Sequence, residues 1–314
     1  MNKLNENIFH LYDKWKEGYV RKETALEEKI KPMRDWAKEA FDEEDFDKMG
    51  FNVDGITVDG GLEITASELM VEIPYPFIEC TAEFTIYPST HIKSLKNCPK
   101  YVENFDCSDC DSLTSLEGAP EVVKGNFDCQ NCVLLKSLKG APKKMKFIAR
   151  GEEYFGDFEC QDCYSLLSLE GATEEVNDFN CYNCQSLTSL IGAPKRVHGH
   201  LNCCQCGDLL SLEGAPEEVN GDFDCSGCES LISLVGAPKK VDGYFDCQNC
   251  HSLKSLEGAP EYIDDYFDCS GCENLTSLEY LPKGIGGDLH IDSRFKEKIP
   301  DDIEIEGEII WHYL

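Results

Sequence analysis

The block from Phe223 to Gly243 reads Phe-Asp-Cys-Ser-Gly-Cys-Glu-Ser-Leu-Ile-Ser-Leu-Val-Gly-Ala-Pro-Lys-Lys-Val-Asp-Gly, and it starts again at Tyr244-Phe245-Asp246-Cys247. The first cysteine of each unit falls at 107, 129, 160, 181, 203, 225, 247 and 269, in steps of 22, 31, 21, 22, 22, 22 and 22 residues. A period of this size predicts a solenoid, in which each unit is one coil that buries its apolar side only by stacking on its neighbours. Such a fold grows by adding coils, so 314 residues need not divide into the two globular domains that length alone would suggest.

Within a unit the side chains sort by period. Phe105 and Cys107 point one way and Asp106 the other, the alternation of a short strand with one buried face. Leu113, Leu116 and Val123 are the next core positions. The Gly118-Ala119-Pro120 turn argues against a helix on the return arc and for extended or polyproline segments. Degenerate copies extend the array: Leu62-Glu63-Ile64, Phe84-Thr85-Ile86 and Leu289-His290-Ile291 match the strand, and Ile309-Ile310-Trp311 closes the stack. That makes eleven or twelve coils and, at ~4.8 Å per coil, a length of about 55 Å.

Residues 1–50 have a helical pattern, with Leu4, Ile8, Leu11, Trp15 and Tyr19 on one stripe. Thr24 and Glu27 fit a capping box, Pro32 suits the first turn of a further helix carrying Trp36 and Phe41, and Gly50 is a stop. The favoured reading is a cap over the first coil, and the alternative is a separate partner-binding helical hairpin. The expected organisation is a helical cap at 1–50, degenerate coils at 51–104, regular 22-residue repeats at 105–290 and a C-terminal cap at 291–314.

These residues resemble the leucine-rich repeat family, whose pattern is L-x-x-L-x-L-x-x-N/C-x-L. Phe245 and Cys247 stand at the strand leucines, Cys250 at the Asn/Cys position, and Leu253 and Leu256 at the leucines that follow. The short arc ending in Ala-Pro is similar to the repeats of bacterial effectors and bacteriophage-encoded proteins. The resemblance covers roughly residues 60–300. It implies an α+β repeat solenoid with a curved parallel β-sheet, non-helical return arcs and an N-terminal helical cap. It also implies protein binding on the concave strand face, as in a phage-encoded or effector-like inhibitor of a host protein. The departure is cysteine where the family usually has leucine or valine.

That departure opens a second reading. Cys107, Cys110, Cys129 and Cys132 make Cys-x2-Cys-x18-Cys-x2-Cys, a structural zinc spacing, so zinc is the alternative cofactor to none. The period itself generates this spacing, however, and Ile64, Ile86 and Ile291 replace the first cysteine in the outer coils, which marks an apolar core position. Tetrahedral zinc also needs sulfurs ~3.8 Å apart, closer than the ~4.8 Å between strands. Buried core thiols are favoured. Cys98 and Cys204 lie outside the columns. The nineteen cysteines recur without a secretory leader at Met1-Asn2-Lys3-Leu4, so a soluble, reduced, cytoplasmic chain is expected.

The net charge is -31, which disfavours direct contact with nucleic acid or anionic membrane and favours basic partners or cations. Two columns carry pattern. The pair after Ala-Pro alternates in sign: Lys143-Lys144, Glu174-Glu175, Lys195-Arg196, Glu217-Glu218, Lys239-Lys240. This predicts a cross-coil ion-pair ladder with a two-coil period, each exposed pair contributing ~0–1 kcal/mol. The outward strand position instead stacks like charges, Asp106, Asp128, Glu159, Asp224, Asp246 and Asp268, interrupted by Asn180 and Asn202. Like charges directly opposite one another are destabilising, and no structural return is evident. Asp157, Asp178 and Asp222 flank this strip, with Tyr244 and Tyr266 in later coils and Gln130, Gln161, Tyr182 and Gln248 beyond the cysteines. It is the leading candidate surface for a basic protein partner, and charge reversal at Asp224, Asp246 and Asp268 is expected to abolish binding at equal or higher stability. Solvated charge is the bland alternative, and calcium is disfavoured by the absence of dense Gly/Asp loops.

The 31-residue step marks an insertion between about Lys146 and Phe155 that is basic and aromatic, with Lys146, Phe147, Arg150 and Tyr154. It is a second candidate contact or a neutral loop excursion. The seven histidines are scattered, and no H-E-x-x-H, G-x-S-x-G or phosphate loop is present, so no enzyme is expected. The expected function is a protein-interaction module of unknown oligomeric state; the alternatives are metal binding in the cysteine columns and an acidic nucleic-acid mimic.

Overall fold

The computed structural model describes residues 25–64, 70–86 and 91–313. Twelve short parallel strands stack into one sheet, from Leu62–Ile64 to Ile309–His312, each strand one coil further along the chain. The eleven strand-to-strand steps are the turns of a parallel β-solenoid. The register sets like on like: Phe223 lies opposite Phe245 and Asp224 opposite Asp246, and Phe245 opposite Phe267 and Asp246 opposite Asp268. The phenylalanine and cysteine columns, the two leucine columns and the valine column all turn inward and form one continuous core. Phenylalanine rings stack from Phe84–Phe105, with centroids 6.1 Å apart, to Phe158–Phe179 at 5.5 Å; Leu201 interrupts the row, which resumes with Phe223–Phe245 at 5.0 Å.

The return arc holds no helix, as proline and glycine there require, but it is more ordered than extended or polyproline segments. Val123, Val197, Val219, Val241 and their equivalents sit in two-residue strands that form a second parallel ladder. Once the first ladder fixes the coil spacing at the strand repeat, the backbone opposite has the same spacing, and β-branched residues fit the half-buried pleat. This ladder comes in two pieces, interrupted at the insertion: five parallel strands from Gly55–Val58 to Lys144–Ala149 with an antiparallel strand added at each end, and seven parallel strands from Glu175–Val176 to Glu304–Ile305.

Two turns set the coil length. In each Cys-x-x-Cys the third residue has positive φ, for example Asp109 at 54°, Asn131 at 55°, Asn249 at 57° and Gly271 at 70°, a conformation that Asn, Asp and Gly tolerate. Before Ala-Pro, Gly258 has φ +97°, and a Cβ there would lie 2.3 Å from the Leu234 carbonyl oxygen of the coil below. Only glycine satisfies both the turn and the close approach.

Helix covers 25–40 and Glu43–Asp47, and a single 3-10 turn spans Ser293–Phe295, so among the described residues helix is a minor component beside the solenoid. Pro32 does not open a second helix; it lies within 25–40 at an exposed position. Ile30, Met33 and Ala37 are buried, and Trp36 packs on Phe41, Tyr75 and Phe77. Gly50 falls inside the strand Met49–Asn52, which pairs antiparallel with Gly55–Val58. The stripe Leu4, Ile8, Leu11, Trp15 and Tyr19, and Thr24, lie outside the described residues.

Candidate functional site: the outward face of the twelve-stranded sheet

Asp106, Asp128, Glu159, Asp224, Asp246 and Asp268 occupy one row on the side of the sheet facing away from the core, with Asn180 and Asn202 between the two acidic runs. The strand alternation puts them there, because each lies between a buried Phe and a buried Cys. The row has a duty that composition alone did not reveal. Each Asp or Asn side-chain oxygen accepts the backbone N–H two residues on: Asp106 from Ser108 at 2.8 Å, Asp128 from Gln130 at 2.9 Å, Asn180 from Tyr182 at 3.0 Å, Asp224 from Ser226, Asp246 from Gln248 and Asp268 from Ser270, all three at 2.8 Å. These are Asx turns that hold the first bend of the coils with Asp or Asn in the row; Glu159 is not among them. The structural return that the sequence leaves out of sight is therefore present, and a charge reversal in this row removes a turn cap together with the charge.

The cap accounts for an oxygen but not for a carboxylate, since Asn180 and Asn202 make the same bond. The negative charges of Asp106, Asp128, Glu159, Asp224 and Asp246 have no Lys or Arg within ion-pair distance among the described residues. Burial, followed by the carboxylates of Asp224 and Asp268, pushes Asp246 up to about 7 against the pull of the Gln248 N–H, and Asp246 is only 5% exposed. Burial likewise pushes Asp128 up to about 6, aided by Asp106 and Glu159, and raises Glu159.

The return arc is the opposite case. Glu121–Lys143 at 3.2 Å, Glu174–Lys195 at 2.5 Å, Glu217–Lys239 at 3.0 Å and Glu261–Lys283 bridge alternate gaps, which is the two-coil period expected from the sequence. Arg196 also pairs with Glu175.

Tyr244 and Tyr266 stack at the corner beside the acidic row, centroids 4.6 Å apart and 11° between planes. Burial and the nearby carboxylates push Tyr244 up to about 12 and raise Tyr266 as well. Tyr182 lies beyond the cysteine, half-buried, its N–H on Asn180. The flanking acids are also structural: Asp178 accepts the His200 N–H at 2.7 Å, and Asp222 accepts the Tyr244 N–H at 3.1 Å and faces His200 Nδ1 at 2.8 Å.

The insertion is a β-hairpin, Lys144–Ala149 antiparallel to Glu152–Phe155, closed by Arg150 and Gly151 at φ 54° and 87°. Phe147 and Tyr154 stack at 5.1 Å, Ile148 is 69% exposed, and Phe155 lies on His198 at 4.1 Å. Within it Lys146 pairs with Glu153 at 2.8 Å, and beside it Lys143 pairs with Glu121. The hairpin leaves the corner between the two ladders, and Asp157 two residues later re-enters the flank of the acidic row.

The cysteine columns lie in the core. Cys132 Sγ donates to the Cys107 carbonyl oxygen at 3.3 Å, and the same bond recurs from Cys163, Cys184, Cys206, Cys228, Cys250 and Cys272 to the coil below. The hydrogen bond from Cys132 and burial hold Cys107 protonated, and burial does the same for Cys129. Zinc in Cys107, Cys110, Cys129 and Cys132 would have to break this ladder and ionise thiols whose surroundings oppose it. The described residues do hold one group of three ligand-type side chains with all ligand atoms within 4.8 Å of one another: Asp268, His290 and His312. These histidines look scattered in the sequence; the signal that could have joined them is His290 in the acidic row, one coil from the closing strand that carries His312.

Among the described residues no helix is long and apolar enough to cross a membrane. Comparison of the chain with protein-family models, with curated proteins and with solved structures returned no match.

Proposed function

We propose that this chain is a non-enzymatic protein-interaction module that docks a basic protein surface on the outward face of its twelve-stranded sheet. The reading rests on one contrast. Glu121, Glu174, Glu175, Glu217 and Glu261 on the return arc have cationic partners. Asp106, Asp128, Asp224 and Asp246 of the sheet face are stacked, capped by neutral N–H groups and have no Lys or Arg within ion-pair distance among the described residues. A cationic partner would relieve that stacking, and the complementarity would favour fast, salt-sensitive association. The stacked pair Tyr244 and Tyr266 supplies rigid aromatic area beside the row. Phe147, Ile148 and Tyr154 of the hairpin supply a second exposed apolar contact. In this reading the coils are of leucine-rich-repeat type, and the helical residues 25–47 cover the open end of the first coil.

The test is affinity capture from a bacterial lysate with three forms of the protein: unaltered, Asp128→Asn/Asp224→Asn/Asp246→Asn, and the return-arc control Glu217→Gln/Glu261→Gln. Asparagine keeps the turn cap and removes the charge. The expected result is a partner held by the unaltered protein and the control, released by salt, and lost from the sheet-face variant. Equal capture by all three forms overturns the proposal.

A further inference from the structure

We infer that Asp268, His290 and His312 form a binding site for a divalent transition-metal ion at the C-terminal end of the acidic row, a site separate from the protein-docking reading above. His290 Nδ1 stands 3.2 Å from His312 Nε2 and 3.8 Å from Asp268 Oδ2, and the ligand atoms of all three lie within 4.8 Å of one another. Ligands held at about 2.0–2.1 Å around a tetrahedral zinc ion are separated from each other by about 3.3 Å. The histidine pair already has that separation, and the carboxylate oxygen is short of it by a side-chain rotation.

The backbone places these groups. Asp268 and His290 are register partners in adjacent parallel strands. The last two strands of the sheet are longer than the two-residue strands of the regular coils, pairing from Leu289 with Ile309 through Asp292 with His312, so His312 is carried on a fully paired strand diagonal to His290. Asp268 is 6% exposed, and the Ser270 N–H fixes its Oδ1 at 2.8 Å, which leaves Oδ2 to face the imidazole. In the preceding coil the equivalent second oxygen, on Asp246, is taken by Gln248 Nε2 at 2.8 Å; Asp268 has Ser270 where Asp246 has Gln248. Tyr266 also lies against His290, with ring centroids 5.6 Å apart and planes tilted at 53°. A bonded ligand set with its orienting neighbours in place is the arrangement that metal sites require.

The donors select the ion. Two imidazole nitrogens and one carboxylate oxygen suit Zn²⁺, Co²⁺, Ni²⁺ or Cu²⁺, whereas Ca²⁺ and Mg²⁺ take oxygen shells. Both histidines are half-buried, so three protein ligands leave a coordination position on the solvent side. Without metal, one imidazole N–H donates to the other ring; when the ion binds, the donating ring carries its proton on its other nitrogen, so that both facing nitrogens offer lone pairs to the metal.

The experiment is a Co²⁺ titration of the tag-free protein under a phosphine reductant, followed by visible absorption, alongside His290→Ala, His312→Ala and the control His251→Ala. The expected result is one Co²⁺ per chain, with d–d bands and without a thiolate-to-cobalt charge-transfer band, and competition by Zn²⁺. His290→Ala and His312→Ala should each weaken binding by more than about tenfold, the scale at which even outer-shell partners act, and His251→Ala should bind as the unaltered protein does. Absence of saturable uptake at millimolar Co²⁺, a thiolate band, or equal uptake by all four proteins overturns the inference. The band pattern of the unaltered protein reads the ligand type on its own, so the inference does not hang on the folding of a variant.

Discussion

Asp224 stands for the duty shared along the acidic row: its Oδ1 accepts the Ser226 N–H at 2.8 Å and closes the bend after the strand. The oxygen is needed there and the charge is not, because Asn202 makes the same bond to Cys204 one coil earlier. Asp224→Ala should therefore destabilise the protein by about 1 kcal/mol, the worth of one hydrogen bond at a turn, while Asp224→Asn should leave denaturant unfolding unchanged or shifted to higher denaturant. Equal losses in both would mean that the carboxylate itself is required. The inward residues of this bend were legible in the sequence from alternation alone, with Phe223 and Cys225 buried and Asp224 turned out. The cap was not, because an aspartate reads the same whether its oxygen meets water or an N–H two residues on. The thiol ladder was legible in outline: Ile64 and Ile291 in the first-cysteine column marked that column as core, and the Cys132 bond to the Cys107 carbonyl shows the second column's backbone duty.

The 31-residue step places its addition at a corner of the coil, as a hairpin. Residues 147–155 are spliced between Lys146 and Gly156, and Lys146-Gly156-Asp157 without them matches the regular corner Lys124-Gly125-Asn126. Gly156 is held under the preceding corner, where a Cβ would meet the Gly125 carbonyl oxygen at 1.8 Å. Deleting 147–155 should thus restore a 22-residue step and keep cooperative unfolding. The expected loss is on the order of 1 kcal/mol for the Phe155–His198 stack. A molten or aggregated product would show that the hairpin holds the two pieces of the return ladder together. The insertion's position was plain from the broken period, but its hairpin form was not: nine residues could equally be a loop, and the antiparallel pairing depends on Arg150 and Gly151 both taking positive φ. The return ladder was hidden for a related reason, since two-residue strands carry too little pattern to be read without their neighbours.

Taken together, the coils separate two electrostatic environments: a return arc of alternating charge with ion pairs across alternate gaps, and a sheet face of stacked like charge on which burial raises Asp128, Glu159 and Asp246. Asp246 at about 7 and Asp128 at about 6, against an ordinary 3.8, bind more protons folded than unfolded across that window. Stability should accordingly be highest below the window and fall as pH rises through it. The slope is at most about 1.4 kcal/mol per pH unit for each proton that the folded protein alone retains, and solvent screening lowers it further. The most direct measurement is the melting temperature of the unaltered protein beside Asp128→Asn/Asp224→Asn/Asp246→Asn, from about pH 4 to about pH 8. The variant should melt higher at the alkaline end, and the gap between the two curves should narrow toward the acid end, where Asp128 and Asp246 of the folded protein are protonated and resemble asparagine. A variant that melts lower than the unaltered protein at alkaline pH would show that the fold depends on these charges. The sheet face would then not be the uncompensated surface that the docking proposal requires.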